Sequence, residues 1–256
     1  MTKLQKASLY AFCAFVVLAI ALSYLMGATL FTGQDKPWHM QPFIDADSLT
    51  AEYADNYELI DKRNLFGKFA DSSRLTVSIL VDAWGVPFEP QLLRENFSAF
   101  DGLPHKEFLH YRLANRTRHA EFAELRIVAD SSASQNGIYL FGGDSLEYGR
   151  NLYVDSLGYA ERVFCQRCAD SLMLVKLDSV LSLATDSLPS QIALTTQDSR
   201  TGDRAKLHAT LRLVAEVAKK YPKVQFIVQG THRPTLGAPK IRRESFAHWV
   251  PAVVLN

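Results

Sequence analysis

Two apolar runs of this chain end on side chains that could bind a metal ion. Val77–Val81 is followed by Asp82, and Val224–Gln229 is followed within three residues by Thr231 and His232. Carboxylate and imidazole groups are ligands that Zn²⁺ accepts, and a bound divalent cation can activate a hydroxyl group. The pattern suggests a metal site. A strand-capping role for Asp82 and a structural hydrogen-bonding role for His232 are the simpler alternatives.

A hydroxyl group that could react in such a site stands in a third segment. Thr117 precedes Ala120–Leu125, a stretch of good helix formers, and taken alone it is most simply the N-cap of that helix. Two further apolar runs also end in polar turns, at Gly143–Asp144 and at Thr196–Gln197. Because ligands bind at the carboxyl ends of parallel strands, all of these groups could meet at one edge of a sheet.

The elements that would position these groups alternate between strand and helix from residue 75 onward. Mostly apolar runs predict strands, and amphipathic or helix-forming stretches predict helices. The predicted strands are Leu75–Val81, Ile138–Phe141, Gln191–Thr196, Val224–Gln229 and Trp249–Leu255. The predicted helices are Phe88–Phe97, Ala120–Leu125, Asn151–Phe164 with a break at Gly158, Asp170–Ala184 and Lys206–Lys220. This order favours an α/β fold with a mostly parallel sheet and helices on both faces.

The N-terminal segment is predicted to be a membrane anchor. Ala7–Phe31 carries no charge, and at about 1.5 Å per residue a helix of this length crosses a hydrocarbon core of about 30 Å. Lys3 and Lys6 precede the run, which predicts a cytoplasmic N-terminus and an extracytoplasmic remainder. A cleaved signal peptide is the competing interpretation, but the run is longer than a usual signal-peptide core and no clean A-x-A site follows it.

These features divide the chain into three predicted parts. Residues 1–31 are the cytoplasmic tip and the signal anchor. Residues 32–74 are a linker that packs on the edge of the domain, with a short helix expected within Ser48–Arg63. Residues 75–256 are the α/β domain.

The net charge bears on which partners the protein binds, and the cysteines bear on the cellular compartment. The 256 residues carry a formal net charge of +1, so the basic excess of a nucleic-acid-binding protein is missing. Cys165 and Cys168 form a C-x-x-C pair, which lacks the further ligands of a zinc site. A thioredoxin-like role would need a strand just before the pair and a helix after it. In an extracytoplasmic domain the plain expectation is a short-loop disulfide.

Seven segments, in chain order, resemble the motifs of one protein family. They are VDAWG at 81–85, NRTRHAEF at 115–122, LFGGDSLEYGRNLYVDSLGY at 140–159, CADSLM at 168–173, ALTTQDSR at 193–200, VQGTHRPTLG at 228–237 and HWVPAVVLN at 248–256. The chain resembles the alkaline phosphatase superfamily over about residues 75–256. The most similar branch contains sulfatase-like proteins, lipoteichoic-acid synthases and phosphoethanolamine transferases.

The resemblance implies a site that cleaves or transfers a phosphate or sulfate ester. It implies that Asp82, Thr117 and His232 bind a divalent metal, zinc or manganese. Thr117 would be the nucleophile and would carry the covalent intermediate, with its alkoxide stabilised by the metal. Arg118 and His119 would hold oxyanions of the substrate.

Two further residues are implied less specifically. Arg150 and Asp170 would lie near the substrate or support the site, or they would be a helix-end ion pair and an N-cap.

The chain also departs from the family pattern. Thr231 stands where the family has an Asp directly before the His, and loss of that carboxylate would weaken metal binding. Gln197 and Asp198 replace a His, and Asn115 and Ala120 replace a Gly and a Ser.

Two functions are therefore expected as alternatives. The first is a phospho- or sulfo-ester transferase or hydrolase, anchored by a single span in a bacterial inner (cytoplasmic) membrane, acting on a lipid or cell-envelope polysaccharide. The second is a catalytically degenerate domain that serves as a binding or scaffold subunit among envelope protein partners.

Overall fold

The computed structural model of the protein describes residues 3–25, 49–60, 64–70, 73–112, 116–126, 137–183, 191–235 and 244–256. These residues fall into two units, one within Met1–Ser48 and one formed by Leu49–Asn256. The first unit contains helix α1, Lys3–Leu25. Across the described ranges, no helix combines the length and the apolar character needed to cross a membrane. The predicted span continues to Phe31, beyond the described helix, and the anchor stays a prediction.

Eight strands form a single sheet in the second unit. They are β1 (Glu58–Ile60), β2 (Thr76–Val81), β3 (His105–Tyr111), β4 (Ile138–Phe141), β5 (Glu161–Phe164), β6 (Gln191–Thr195), β7 (Gln225–Gly230) and β8 (Trp249–Leu255). Their order across the sheet is β1-β3-β8-β7-β2-β6-β4-β5. Neighbouring strands are parallel, except that β8 runs antiparallel to β3 and β7. The predicted mostly parallel sheet is confirmed.

Helices pack on both faces of this sheet. The described helices of this unit are α2 (Ala51–Asn56), α3 (Leu65–Phe69), α4 (Pro90–Phe97), α5 (Thr117–Glu124), α6 (Asp170–Ser182) and α7 (Arg204–Lys220). Short 3₁₀ segments cover Ser98–Phe100, Glu147–Leu152 and Val154–Leu157.

Strand β2 lies in the centre of the sheet and has a mostly apolar sequence, TVSILV. All six of its residues are buried, because helices cover the sheet on both sides. Val77 and Ile79 belong to the core that α4, α6 and α7 complete, whereas Leu80 belongs to a second core with Ala120 of α5. The predicted layering of helices on both faces is therefore confirmed.

The structure differs from the sequence-based prediction in three segments. Strand β3, His105–Tyr111, was missed because its first residues are polar, and pairing with β1 and β8 determines its conformation. The helix predicted at Asn151–Phe164 is instead two 3₁₀ segments and the edge strand β5, and Gly158 between them has a φ of +88°. The helix predicted within Ser48–Arg63 is shorter, and the edge strand β1 follows it. Edge strands are half exposed, so their sequences lack a strong apolar pattern.

Cys165 and Cys168 form a disulfide, as expected for the pair. The bond closes the turn between β5 and α6, and both cysteines lie before the first residue of the helix. The N–H of Cys168 donates to the carbonyl of Gly142 (2.9 Å), at the end of β4. The disulfide-closed turn is therefore attached to the segment that leads towards the candidate site.

Candidate active site

The turn after β2 is held by hydroxyl groups from the two neighbouring strands. The N–H of Asp82 donates to Oγ1 of Thr196 (3.1 Å), which follows β6. The N–H of Ala83 donates to Oγ1 of Thr231 (3.2 Å), which follows β7. Oγ of Ser199 donates to the backbone carbonyl of Asp82 (2.5 Å). These contacts hold the Asp82 backbone at the carboxyl edge of the sheet.

Two glycines allow this turn to lie against the end of β7. A Cβ atom on Gly230 would be 1.8 Å from the carbonyl oxygen of Trp84, and one on Gly85 would be 2.6 Å from Cα of Arg233. Either contact would force backbone atoms apart, so only glycine fits at these positions. The close approach brings together two of the segments that carry the predicted ligands.

The three predicted metal ligands converge in the folded chain. Asp82, Thr117 and His232 are 1%, 2% and 6% exposed. Oγ1 of Thr117 donates to Oδ1 of Asp82 (2.8 Å) and lies 3.1 Å from Nε2 of His232. Nε2 of His232 lies 3.4 Å from the same carboxylate oxygen. The structure thus places the three side chains around one point, although they come from three separate segments, while their roles stay predictions.

His232 is oriented by the backbone of the next residue. Its Nδ1 lies 2.6 Å from the carbonyl oxygen of Arg233. A carbonyl can only accept, so Nδ1 carries the hydrogen of this bond, and the neutral ring then presents Nε2 as an acceptor towards Thr117. The single proton of the Thr117 hydroxyl can therefore be donated either to Asp82 or to His232.

Tyr148 is a site residue that the sequence reasoning missed. Its hydroxyl donates to Oδ2 of Asp82 (2.9 Å). Its backbone has a φ of +57°, a left-handed conformation that non-glycine residues rarely adopt. Burial, followed by the negative charge of Asp82, raises the pKa of Tyr148 above its usual value, so the hydroxyl stays protonated. The Tyr-Gly pair before Arg150 is the sequence signal that could have located it.

The donor set does not match a divalent-metal site. Oδ1 of Asp82 accepts hydrogen bonds from the hydroxyls of Thr117 and Thr231 (both 2.8 Å), and Oδ2 accepts from Tyr148. A zinc site needs three protein ligands or more, usually His, Cys or carboxylate. Among the described residues, no group of three such side chains is placed to hold an ion. Thr231 supplies a neutral hydroxyl at the position where the resemblance implies a carboxylate.

Arg118 and His119, the predicted oxyanion-binding residues, lie on the exposed side of α5. They line an open cleft of about 490 Å³ together with Arg116, Phe122 and Arg126. The Arg118 guanidinium stacks 5.6 Å from the ring centre of Phe122 and 4.9 Å from that of Tyr153. The described contacts do not join Arg118 or His119 to the buried cluster around Asp82.

Arg150 lies in the core and forms a buried ion pair. Its Nη2 lies 2.6 Å from Oε1 of Glu121 on α5, and both side chains are fully buried. Its guanidinium stacks on the ring of Phe141, 3.4 Å from the ring centre, and also lies 5.1 Å from the Tyr148 ring. Arg150 therefore connects α5 to the segment that presents Tyr148, which is a supporting position.

Asp170 also supports the site from a distance. Its carboxylate accepts hydrogen bonds from the N–H groups of Gln197 (2.8 Å) and Asp198 (3.1 Å) and from the hydroxyl of Thr210 (3.1 Å). Burial raises its pKa to about 6. Gln197, which stands where the family has a His, donates its amide to the carbonyls of Gly142 (2.8 Å) and Cys168 (3.0 Å). Both residues hold the loop after β6.

The fold of this chain is similar to that of a solved protein, although its sequence matches no family model. No family model matches the chain, and no curated protein sequence matches it. A solved structure from Vibrio parahaemolyticus, a protein in the alkaline phosphatase superfamily, is 15% identical and has a TM-score of 0.51. The fold is that of the alkaline phosphatase superfamily. The family resemblance of the sequence is thus confirmed at the level of fold.

Two further solved structures are similar to this chain. The lipoteichoic acid synthase LtaP from Listeria monocytogenes is 8% identical, with 75% of this chain and 66% of that chain covered and a TM-score of 0.48. The Streptococcus pyogenes phosphoglycerol transferase GacH, in complex with sn-glycerol-1-phosphate, is 10% identical, with 72% and 68% covered and a TM-score of 0.47. The match to the Vibrio protein covers 71% of this chain and 59% of that chain, so the chain spans about three-fifths of its length.

Proposed function

We propose that the chain is a membrane-anchored, extracytoplasmic domain that binds a phosphate ester of a lipid or an envelope polysaccharide without metal-dependent turnover. The observation that carries the proposal is the saturation of the Asp82 carboxylate by hydroxyl donors from Thr117, Thr231 and Tyr148. A metal ion bound by Asp82 would have to displace some of these hydrogen bonds and would gain only His232 as a further strong ligand. The uncharged run Ala7–Phe31 supports the anchoring.

Recognition of the ester is assigned to the basic side of α5. Arg118 and His119 are exposed beside the open cleft, one and two residues after Thr117. An Arg guanidinium can donate two parallel hydrogen bonds to a phosphate, and such charge-assisted bonds are stronger than neutral ones. In this proposal the phosphate lies near the start of α5, and the buried hydroxyl cluster holds the turn after β2 in place.

One observation favours a second candidate, a metal-independent transferase. Thr117 and His232 have the spacing of a nucleophile and a general base, because Oγ1 lies 3.1 Å from Nε2. His232 would take the hydroxyl proton while Oγ1 forms a bond to phosphorus and the P–O bond to the leaving alcohol breaks. The alcohol would leave with the proton from His232, and the product would be a phosphoester on Thr117.

The metal content of the purified full chain tests the first proposal. We expect wild type to bind neither zinc nor manganese and Thr231→Asp to bind one of them, because the substitution adds a second carboxylate beside Asp82. A metal at a hundred times its Kd would raise the free energy of unfolding of Thr231→Asp by about 2.7 kcal/mol. The double variant Asp82→Asn/Thr231→Asp is the matched control and should lose this response.

Turnover and binding assays separate the two candidates. Hydrolysis of an aryl phosphate or aryl sulfate by wild type, lost in Thr117→Ala, would show that the binding-only proposal is wrong. If that activity persists in EDTA and is lost in His232→Gln, the metal-independent transferase gains support. For the binding proposal, Arg118→Gln should weaken calorimetric binding of glycerol phosphate about tenfold, equivalent to about 1.4 kcal/mol. The exposed Lys223→Gln should not change it.

A further inference from the structure

The exposed side of α5 is strongly basic. Arg116, Arg118, His119 and Arg126 are all exposed and surround the cleft on this helix. Arg116 stands just before the helix and Arg126 just after it, so positive charge extends along the whole of α5. A solvated helix face normally mixes both signs of charge, whereas the acids of α5, Glu121 and Glu124, are buried and face the sheet.

Two leucines are exposed on the segment that presents Tyr148. Leu146 is 66% exposed and Leu152 is 77% exposed. A single exposed leucine on a soluble protein needs no explanation. Here the two leucines stand at the two ends of the short segment Leu146–Leu152, which bends at Tyr148 and Gly149, and Tyr148 is itself 37% exposed.

The basic helix and the leucine-bearing segment are neighbours in the fold. The buried ion pair between Glu121 and Arg150 joins the two elements at 2.6 Å. The buried Tyr153 ring also links them, because it lies 5.1 Å from the Phe122 ring and under the Arg118 guanidinium. Leu152 directly precedes Tyr153, so the exposed leucine is one residue along the chain from the ring on which Arg118 stacks.

Acidic groups near this surface are already engaged. Glu147 lies 3.6 Å from Arg200, and Asp155 pairs with Arg162. Asp144 accepts from the N–H of Leu146 (2.9 Å). Glu147 and Asp155 are thus paired with basic side chains, and the three arginines of the α5 surface outnumber the negative charge that Asp144 keeps.

We propose that Arg116, Arg118, Arg126, Leu146 and Leu152 form a docking surface for an anionic lipid bilayer. The arginines would bind lipid phosphates, and the leucines would enter the boundary between head groups and acyl chains. Charge complementarity with an anionic leaflet supports this occupant, and a hydrated polysaccharide offers nothing apolar for the leucines. The docking surface shares Arg118 and the open cleft with the proposed ester site, whereas Arg116, Arg126 and the leucines belong to docking alone, so variants of those residues test docking separately.

A fluorescent probe at Leu152 tests the docking in the full chain. A Leu152→Cys variant in a Cys13→Ser background carries an environment-sensitive dye, and the protein is reconstituted into vesicles. We expect about twofold higher emission with phosphatidylglycerol vesicles than with phosphatidylcholine vesicles, with a fall towards the phosphatidylcholine value at high salt.

Leu183→Cys is the matched control for the probe position. Leu183 is 78% exposed and Leu152 77%, but Leu183 directly follows α6, which packs on the opposite face of the sheet. Its probe should respond equally to both lipids. The double variant Arg116→Gln/Arg126→Gln should reduce the Leu152 response at least about twofold, and Lys206→Gln/Lys219→Gln should leave it unchanged.

Several results would overturn the docking surface. The first is equal emission from the Leu152 probe with phosphatidylglycerol and phosphatidylcholine vesicles. The second is a lipid-dependent change in emission at Leu183 as large as that at Leu152. The third is an emission change with soluble polyphosphate as large as that with vesicles. The last result would assign the surface to a soluble polyanion. Thr231→Asp, which tests the metal proposal, should leave the Leu152 response unchanged, so the outcomes of the two experiments are separate.

Discussion

The Asp82 carboxylate shows how substitution of a single neighbour can change the chemistry of a site. With a carboxylate at position 231, Asp82 would repel it unless a cation lay between the two. With Thr231, the hydroxyl donates to Asp82, and so do Thr117 and Tyr148. The charge of Asp82 is therefore stabilised by neutral donors, and a cation is no longer required to hold the turn together.

The buried Asp170 side chain should make the stability of the protein depend on pH. Its side chain is buried, and burial raises its pKa from 3.8 to about 6. Between these values the folded protein keeps a proton that the unfolded chain has lost. The free energy of unfolding should therefore fall as the pH rises from about 4 to about 6, by up to about 3 kcal/mol. Urea unfolding across this range measures the fall.

Asp170→Asn should lose most of this fall, because the variant has no ionisable group at the position. Asp178→Asn is the control, since the hydrogen bond from Lys220 lowers the pKa of that partly exposed acid and its removal should leave the fall in place. If Asp170→Asn and wild type show the same pH dependence, burial of Asp170 does not have the predicted effect.

The site depends on close packing between two elements, the end of strand β7 and the turn after strand β2. Gly230→Ala should lower the free energy of unfolding by about 3 kcal/mol, because its Cβ would lie 1.8 Å from the Trp84 carbonyl and backbone atoms must move. Urea unfolding of the two proteins measures the difference.

Gly67→Ala is the matched glycine control. In α3 the added Cβ would meet only ordinary contacts at 3.5 Å or more, all from Asn64. Alanine is also the better helix former, so this variant should be as stable as wild type or more stable by about 0.5–1 kcal/mol. Equal stability of Gly230→Ala and wild type would contradict the packing argument.

Strand β8 determines the integrity of the whole sheet. It contributes the last residues of the chain, yet it lies between β3 and β7 and pairs with both. A chain that stops after His248 would expose two strand edges and lose Trp249, Val253 and Leu255 from the core. We expect this truncated chain to show no cooperative unfolding transition by circular dichroism. Asn256→Ala should keep the transition, and a cooperative transition in the truncated chain would be the contrary result.

Local patterns in the amino-acid sequence were sufficient for the α/β class, whereas Asp82, Thr117 and His232 were singled out as a set by the resemblance to a known family. The buried run before Asp82 and the stripe Leu207, Leu211 and Val214 of α7 depend on residues close together in the chain, whereas the resemblance depends on the order of motifs over residues 81–256. Periodicity and burial act over such short distances, so they can be read without coordinates.

Tertiary contacts alone decided how the site is built. The hydrogen bonds from Tyr148 and Thr231 to Asp82 join residues 66 and 149 positions apart, and the Arg150–Glu121 pair joins two different elements. The same holds for β3 and β5, whose polar sequences become strands by pairing with neighbours. The donors around a carboxylate depend on which distant segments pack beside it. At Asp82, the packing of the segments that carry Thr117, Tyr148 and Thr231 supplies hydroxyl groups.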